Sequence, residues 1–137
     1  MSGEQFKDQE RFAAYVEREG MVSAMNDTKW REVIQCLGAI PGLHVVFRVR
    51  CVRDPLDAEP RCESSFPWHV PTYKEIEWFE IDPLVRMPSG AVDRGHSEDF
   101  RARIVAALKA IPVPVSLEGR YVRIWGYYRP GAEPDLR

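Results

Sequence analysis

Three stretches of the chain carry apolar residues at the spacing of a helix that buries one side. The first covers residues 4–19 and is stopped by Gly20, the second is centred on residues 30–37, and the third covers residues 100–111. Their apolar positions are Phe12, Ala13 and Val16; Trp30, Val33, Ile34 and Leu37; and Phe100, Ile104, Ala107, Leu108 and Ile111. The pattern predicts three helices, of which the first is the least amphipathic.

Capping residues mark the ends of the second and third helices. Asp27 or Thr28 is expected to cap the first turn of the second helix, and Gly38 to stop it. Ser97 is expected to cap the third helix, because a serine side chain can accept from the free amides of a first turn. Pro112 ends that helix.

Four segments have the character of β-strands. Residues 43–53 are rich in β-branched residues and alternate between apolar and polar positions. Residues 75–81 predict a second strand. Residues 66–70, which are bracketed by prolines, predict a short edge strand. Residues 115–128 predict a hairpin that turns at residues 118–119.

Alternation along the strands predicts which side chains share a sheet face. In the strand at residues 75–81, one face is expected to carry Ile76 and Trp78, and the other Glu75, Glu77 and Phe79. One face of the hairpin is expected to carry Tyr121, Arg123, Trp125 and Tyr127, opposite Val122, Ile124 and Tyr128, with Arg48, Arg50 and Phe79 as neighbours.

The order of the elements is helix, helix, three strands, helix, two strands, which predicts an α+β fold. Short connections favour antiparallel strands. Burying each apolar stripe once gives a two-layer sandwich, with a sheet of about five strands and helices on one face. We expect a leader helix segment at residues 1–25, a single domain at residues 26–129 and a polar tail at residues 130–137, with loops at residues 54–65 and 82–96.

Composition narrows the class of function. Of the 137 residues, 45% are hydrophobic and 29% charged, and the formal net charge is −2. These values are ordinary for a globular domain and argue against a general nucleic-acid binder. The chain has no apolar run long enough to span a bilayer. Charged residues interrupt the apolar ones throughout residues 1–20, so we expect no secretory signal there. We therefore expect a cytoplasmic protein without membrane contacts, in which Cys36, Cys51 and Cys62 are reduced.

Metal and cofactor chemistry has no motif to support it. The available ligands Cys51, Cys62, His69 and His96 are dispersed, whereas zinc ligands usually come in pairs a few residues apart. The chain also has no glycine-rich phosphate loop, nucleophile elbow or metalloprotease helix motif. We predict no metal and no cofactor.

Catalysis has one candidate nucleophile, Cys62, which follows Arg61 in a loop. Cys36 falls in the last turn of its helix, where the helix dipole disfavours an anion. Glu75 and Glu77 are expected to face arginines in a cross-strand charge ladder. No catalytic residue is assigned. A small enzyme with a pocket between helices and sheet, using Cys62 or a carboxylate, stays an alternative.

Three segments of the chain resemble the signatures of a family of small bacterial proteins, a domain of unknown function. They are Asn26-Asp27-Thr28-Lys29-Trp30-Arg31-Glu32, Tyr73-Lys74-Glu75-Ile76-Glu77-Trp78 and Arg123-Ile124-Trp125-Gly126-Tyr127. The family pattern is a helix opening with Asn-x-Thr-Lys-Trp, a central Tyr-Lys-x-Ile-Glu-Trp strand and a C-terminal Gly-Tyr strand. The resemblance implies no particular activity, and it places residues 1–25 before the shared domain. The analogy with other small bacterial proteins suggests an immunity protein that accompanies a toxin.

The sequence therefore favours a non-catalytic protein-binding module, in its most specific form an immunity protein that neutralises a cognate toxin. Arginine, tryptophan and tyrosine are enriched at interface hot spots, and an acidic loop can speed association with a basic partner. The expected partner-binding residues are Arg48, Arg50, Asp54, Asp57, Glu59, Glu63, Arg123, Trp125 and Tyr127. A sheet that stacks RNA or single-stranded DNA on its aromatic residues is a further alternative, although the net charge makes nucleic acid an unfavoured partner.

Overall fold

The computed structural model describes residues 3–86 and 97–137. The helices are α1 (Gly3–Arg18), α2 (Asp27–Ala39) and α3 (Arg101–Lys109), and Tyr73–Glu75 forms a single 3-10 turn. The strands are β1 (Val22–Ser23), β2 (Phe47–Cys51), β3 (Arg61–Glu63), β4 (Ile76–Ile81), β5 (Leu84–Arg86), β6 (Ser97–Asp99), β7 (Val115–Glu118), β8 (Tyr121–Trp125) and β9 (Tyr127–Tyr128). None of the described helices is long and apolar enough to cross a membrane.

The main sheet has five antiparallel strands in the order β3-β2-β4-β8-β7. Two small antiparallel pairs, β1 with β9 and β5 with β6, lie beside it. This arrangement confirms the predicted α+β fold with a mostly antiparallel sheet. The hairpin prediction is also confirmed, since β7 and β8 pair up to Glu118 and Tyr121 across a turn in which Gly119 has a φ of 60°.

The core lies between one face of this sheet and the helices α2 and α3. Trp30 and Leu37 of α2 and Ile104 of α3 pack there against Phe47 and Phe79 of the sheet. The rings of Phe47 and Phe79 stack with centroids 4.8 Å apart. Each such side chain stabilises the fold by about 1.5–3 kcal/mol relative to an exposed position. The helical stripes predicted for α2 and α3 therefore face the sheet.

Two helix starts differ from the sequence prediction. Asn26 caps α2, because its side chain accepts a hydrogen bond of 2.8 Å from the Lys29 amide, and the predicted caps Asp27 and Thr28 already belong to the helix. Ser97 does not cap α3. It pairs with Arg86 in the small β5–β6 sheet, so that α3 begins only after Phe100.

The segment after β2 also differs from the prediction. Part of the loop predicted at residues 54–65 forms the strand β3, which pairs with β2. The strand predicted at residues 66–70 is instead a turn, in which the Trp68 amide donates to the Ser65 carbonyl over 2.7 Å. The side chain of Phe66 anchors this turn on the core through an edge contact with Phe47. Residues 87–96, most of the second predicted loop, lie outside the described residues.

A β-bulge at Glu77 overturns the predicted faces of β4. Arg50 pairs with Trp78 but the next residue, Cys51, pairs with Ile76, so Glu77 is one residue in excess. As a result Ile76 packs in the core on the same side as Phe79. Trp78 and Glu77 both lie on the opposite face, where they approach arginine side chains.

Helix α1 and the C-terminal residues pack against the rest of the chain. Phe12 of α1 belongs to a second apolar cluster with Met21, Val52 and Tyr127. Near the C-terminus, Leu136 forms an isolated antiparallel bridge with Ser116 on the outer strand β7. The division into a leader segment, a domain and a tail stays a prediction.

Gly126, between β8 and β9, is required by a close approach of two backbones. A Cβ at this position would lie 2.0 Å from the carbonyl oxygen of Ile76, while the Gly126 amide donates to the Glu77 carbonyl over 2.7 Å.

We expect Gly126→Ala to lower the free energy of unfolding in urea by about 3 kcal/mol or more, because the clash is with backbone. The control Gly3→Ala has open space around it and is expected to be neutral or slightly stabilising. Equal stability of the two variants would contradict the argument.

Candidate binding surface on the open sheet face

The face of the main sheet turned away from α2 and α3 carries charged and aromatic side chains, and we call it the open face. Two rows of cross-strand neighbours build it. Arg48, Glu80 and Arg123 are paired across β2, β4 and β8, and Arg50, Trp78 and Trp125 form the row beside them. Glu77 joins these rows through the bulge, Tyr121 follows on β8, and Arg129 reaches the face from the segment after β9.

Glu80 is the centre of the first row, and it is fully buried. Its Oε1 accepts from Nη2 of Arg48 over 2.6 Å, and its Oε2 accepts from Nε of Arg123 over 2.8 Å. Burial alone acts to lower the pKa of Arg48, but the hydrogen bond and charge of Glu80 outweigh it and raise this pKa above its ordinary value. A buried carboxylate is stable only when it is paired in this way, so Glu80 ties together three strands.

Glu77 is the centre of a second group of ion pairs. Its Oε1 accepts from Nη2 of Arg129 over 2.7 Å and lies 3.4 Å from Nε of Arg50. The hydrogen bond with Glu77 raises the pKa of Arg129. Arg50 also donates to the carbonyl oxygens of Asp54 and Pro55, over 2.7 and 2.9 Å. Arg50 therefore fixes the loop between β2 and β3 on the sheet.

The aromatic rings of the open face are covered by guanidinium groups. Arg123 lies 4.2 Å from the ring centroid of Trp78 and 4.8 Å from that of Trp125. Arg48 lies 4.0 Å from the ring of Tyr121. The indole of Trp125 is held in addition by a hydrogen bond of 2.8 Å from Nε1 to Oγ of Ser116. These contacts leave both tryptophans less than a tenth exposed.

A groove of about 320 Å³ lies between the open face and the β2–β3 loop, and we call it the open-face groove. Its floor consists of Arg50, Glu77, Trp78, Arg123, Trp125 and Arg129, and its wall of Leu56, Ala58, Pro60 and Ala132. Leu56 is 78% exposed at the rim. The loop thus turns every second side chain, at positions 56, 58 and 60, toward the groove.

The acidic residues of the same loop do not act as one surface. The carboxylate of Asp54 accepts a hydrogen bond of 2.8 Å from the Cys51 amide and stabilises the turn. Asp57 and Glu59 are exposed and do not line the groove. Glu63, on β3, lies 3.8 Å from Nδ1 of His69. Among the predicted acidic residues, Asp57 and Glu59 are therefore the most accessible to a partner.

Two aromatic residues expected on the open face lie elsewhere. Phe79 is fully buried in the main core. Tyr127 belongs to the cluster around Phe12 of α1, and its hydroxyl donates to the Lys74 carbonyl over 2.7 Å. Burial raises the pKa of this tyrosine. Tyr127 leaves the open face because β8 ends before Gly126, and Tyr127 belongs to β9, which pairs with β1 and is not part of the main sheet.

The three segments with signature-like sequences meet around one cavity of about 550 Å³ at the start of α2. Trp30 stacks on Tyr73 with ring centroids 6.5 Å apart, and Gly126 and Tyr127 contact the same region. The residues that line it from these segments are Asn26, Asp27, Thr28, Trp30, Tyr73, Lys74, Gly126 and Tyr127. Helix capping, ring packing and close backbone approach explain many of these residue types.

Residues 3–86 and 97–137 contain no group of three or more side chains that could hold a metal ion. His96, one of the ligands considered from the sequence, lies outside these ranges. Burial raises the pKa of the Cys36 thiol. It also raises the pKa of the Cys51 thiol, because its effect is larger than the lowering effect of the neighbouring Arg61. Both thiols are therefore poor nucleophiles near neutral pH. Cys62 is exposed on the edge strand β3.

Sequence reasoning missed three residues that shape the open-face groove. Glu80 could have been found, because it lies two residues after Trp78 in β4 and therefore shares a face of the strand with it. Arg129 lies in the segment after β9 and carries no periodic signal. Leu56 carries no periodic signal either. Its position in the groove wall is set by the hydrogen bonds of Arg50 to the backbone of the β2–β3 loop.

We expect Glu80→Gln to destabilise the fold by about 2–4 kcal/mol, since breaking a buried ion pair leaves uncompensated charge. This expected loss of stability is smaller than that for a fully buried ion pair, because the side chain of Arg48 is 32% exposed. The matched control is Glu98→Gln, which breaks the Arg103–Glu98 pair at side chains 49% and 39% exposed and should cost at most about 1 kcal/mol. Urea unfolding of the two variants measures the difference, and similar losses would show that Glu80 has no special role.

Comparisons with known proteins place the chain in a family but assign no function to it. No curated protein and no solved structure shows a significant match. The sequence model of one family matches residues 12–131, and its description is "Family of unknown function (DUF6678)". The prediction of a domain of unknown function is confirmed at this level. The chain belongs to the DUF6678 family.

Proposed function

We propose that this protein is a non-catalytic recognition module that binds another protein through the open face. The observation that carries the proposal is the open-face groove, in which two tryptophans and three arginines form the floor beside the exposed Leu56. Tryptophan and arginine are the side chains most enriched at interface hot spots. A groove of this composition at the surface of a small domain supports partner binding.

The arginines of the groove are already ordered, which favours binding. Glu80 holds the guanidinium of Arg123, and Glu77 holds that of Arg129. The rings of Trp78 and Trp125 also contact the guanidinium of Arg123. A partner therefore does not have to immobilise these long side chains, each of which would otherwise cost about 0.5–1.5 kcal/mol on binding.

Stacking of nucleic acid bases on this sheet is disfavoured by the same contacts. Arg123 lies over the rings of Trp78 and Trp125, and Arg48 lies over the ring of Tyr121. A base could stack on these rings only after displacing guanidiniums that are paired with buried carboxylates. The alternative of an RNA- or single-stranded-DNA-binding sheet is thus weaker than protein binding.

The enzyme alternative has less support at the groove. Glu77 accepts hydrogen bonds from Arg129 and lies in an ion pair with Arg50, and Glu80 is fully buried between two arginines. A general base must lie within hydrogen-bond reach of the proton that it accepts, and these two carboxylates are already engaged by guanidinium donors. Cys62 lies outside the residues that line the groove, so neither carboxylate has a thiol partner there.

In its most specific form, the proposal describes a bacterial cytoplasmic immunity protein that neutralises a toxin. Asp57 and Glu59, exposed on the outer side of the β2–β3 loop, support this form because carboxylates attract the basic active-site surface of an enzyme that acts on phosphates. Co-expression with the product of the neighbouring gene tests it. Rescue of growth that is lost in the double variant Asp57→Asn, Glu59→Gln supports an immunity role, and a neighbour that is harmless when expressed alone contradicts it.

The binding proposal predicts that a partner is lost when the rim of the groove is made polar. We expect Leu56→Ser to weaken the complex roughly tenfold or more, because an exposed leucine that becomes buried contributes about 1.5–3 kcal/mol. The matched control is Phe6→Ser on α1, which also changes an exposed apolar side chain, 57% exposed against 78% for Leu56. Affinity purification from the cells that encode the protein, with quantitative mass spectrometry, compares the three chains.

A protein recovered with the wild type and with Phe6→Ser, but depleted with Leu56→Ser, supports the proposal. Binding of this protein to the purified chain should then be measured by calorimetry. If every recovered protein is retained equally by Leu56→Ser, the groove is not the binding surface.

A further inference from the structure

The open-face groove has a charge that its own carboxylates do not balance. Arg48 and Arg123 pair with Glu80, and Arg50 and Arg129 pair with Glu77. Each glutamate therefore pairs with two arginines, so this group of four arginines and two glutamates has two more positive than negative charges, although the whole chain has a net charge of −2. The excess is local and fixed in position.

The four arginines differ in how far they are available to a ligand. Arg50 is 9% exposed, and its donors are used by Glu77 and by the carbonyls of Asp54 and Pro55. Arg123 and Arg129 are 17% and 22% exposed and line the groove. A ligand that enters the groove therefore meets mainly the guanidiniums of Arg123 and Arg129.

The wall of the groove is apolar where the floor is cationic. Leu56, Ala58 and Pro60 face the groove from the loop, while the acidic Asp57 and Glu59 do not line it. A volume of about 320 Å³ is near the small end of the range for ligand sites, which is about 300–1,000 Å³. This space suits one or two side chains of an extended segment.

We propose that the open-face groove binds a short acidic peptide segment of the protein partner, with a carboxylate against Arg123 and Arg129 and an aliphatic side chain against Leu56 and Pro60. The inference rests on the proposed function and names the chemistry of the partner. Nε and Nη2 of Arg123 are engaged by Glu80, and those of Arg129 by Glu77, so a ligand carboxylate would accept charge-assisted hydrogen bonds from the remaining N–H groups of these guanidiniums. The groove lining contains three arginines and one carboxylate, Glu77. A basic segment would meet repulsion at the same place.

The first test uses three capped tripeptides as probes, acetyl-Glu-Leu-Glu-amide, acetyl-Gln-Leu-Gln-amide and acetyl-Lys-Leu-Lys-amide. The indole N–H signals of Trp78 and Trp125 in the NMR spectrum of the full chain report on the floor of the groove. We expect the glutamate peptide to shift these signals in a saturable way, and the glutamine peptide to bind about fivefold or more weakly, because the charge-assisted hydrogen bonds are lost. The lysine peptide should leave both signals in place.

The second test changes the sign of the charge at the rim without touching the buried ion pairs. Leu56→Asp and Leu56→Lys both remove the exposed leucine, so their comparison isolates charge. For the glutamate peptide, Leu56→Asp is expected to bind about fivefold or more weakly than Leu56→Lys, because a like charge is placed beside the ligand carboxylate. Phe6→Asp, on α1, is the control and should bind as the wild type does.

Three results would overturn the inference. They are equal shifts with the glutamine peptide, no shift with the glutamate peptide, and a weaker complex with Leu56→Lys than with Leu56→Asp. The first test also includes a fourth probe, an oligothymidylate. If it forms a tighter complex than the glutamate peptide does, the groove is assigned to nucleic acid instead.

The outcome can be separated from that of the proposed function. If a cellular partner depends on Leu56 but is weakened equally by Leu56→Asp and Leu56→Lys, protein binding holds and the acidic segment is wrong. If the glutamate peptide binds as expected but no cellular protein depends on Leu56, the groove chemistry holds and the proposed function fails.

Discussion

The open face is organised by one constraint, the burial of the Glu80 carboxylate in the middle of the sheet. Moving a carboxylate out of water costs several kcal/mol unless cations and donors replace the lost hydration. Arg48 from β2 and Arg123 from β8 supply both, one on each side. Because the two arginines come from the strands that flank β4, the ion pairs also fix the register of these three strands. A shift by one residue would place Glu80 in the apolar core.

The two faces of the sheet bury their aromatic side chains by different means. On the helix side, α2 and α3 cover apolar residues such as Phe47 and Phe79. On the open face, the side chain of Arg123 lies over both Trp78 and Trp125 and shields them from water, while its guanidinium is paired with Glu80. The consequence is a charged surface whose arginine side chains are held in place by ion pairs and ring contacts.

Periodicity was sufficient for the parts of the fold that follow a regular repeat. The stripe from Trp30 to Leu37 and the hairpin at Gly119 could be predicted, because packing against one surface imposes a constant spacing. The faces of β4 could not, since the bulge at Glu77 arises from the pairing of Arg50 and Cys51 with a neighbouring strand. The candidate site was likewise predicted only in part. Arg123 and Trp125 follow the alternation of their strand, whereas the positions of Arg129 and Leu56 depend on tertiary contacts.

The contacts of Arg50 with the β2–β3 loop have a consequence for how this surface can evolve. The acceptors are the backbone oxygens of residues 54 and 55, which every amino acid provides. The path of the loop is thus tied down independently of the side chains at positions 56, 58 and 60. Substitutions at these three positions can therefore change the shape and polarity of the groove wall while the path of the loop is preserved.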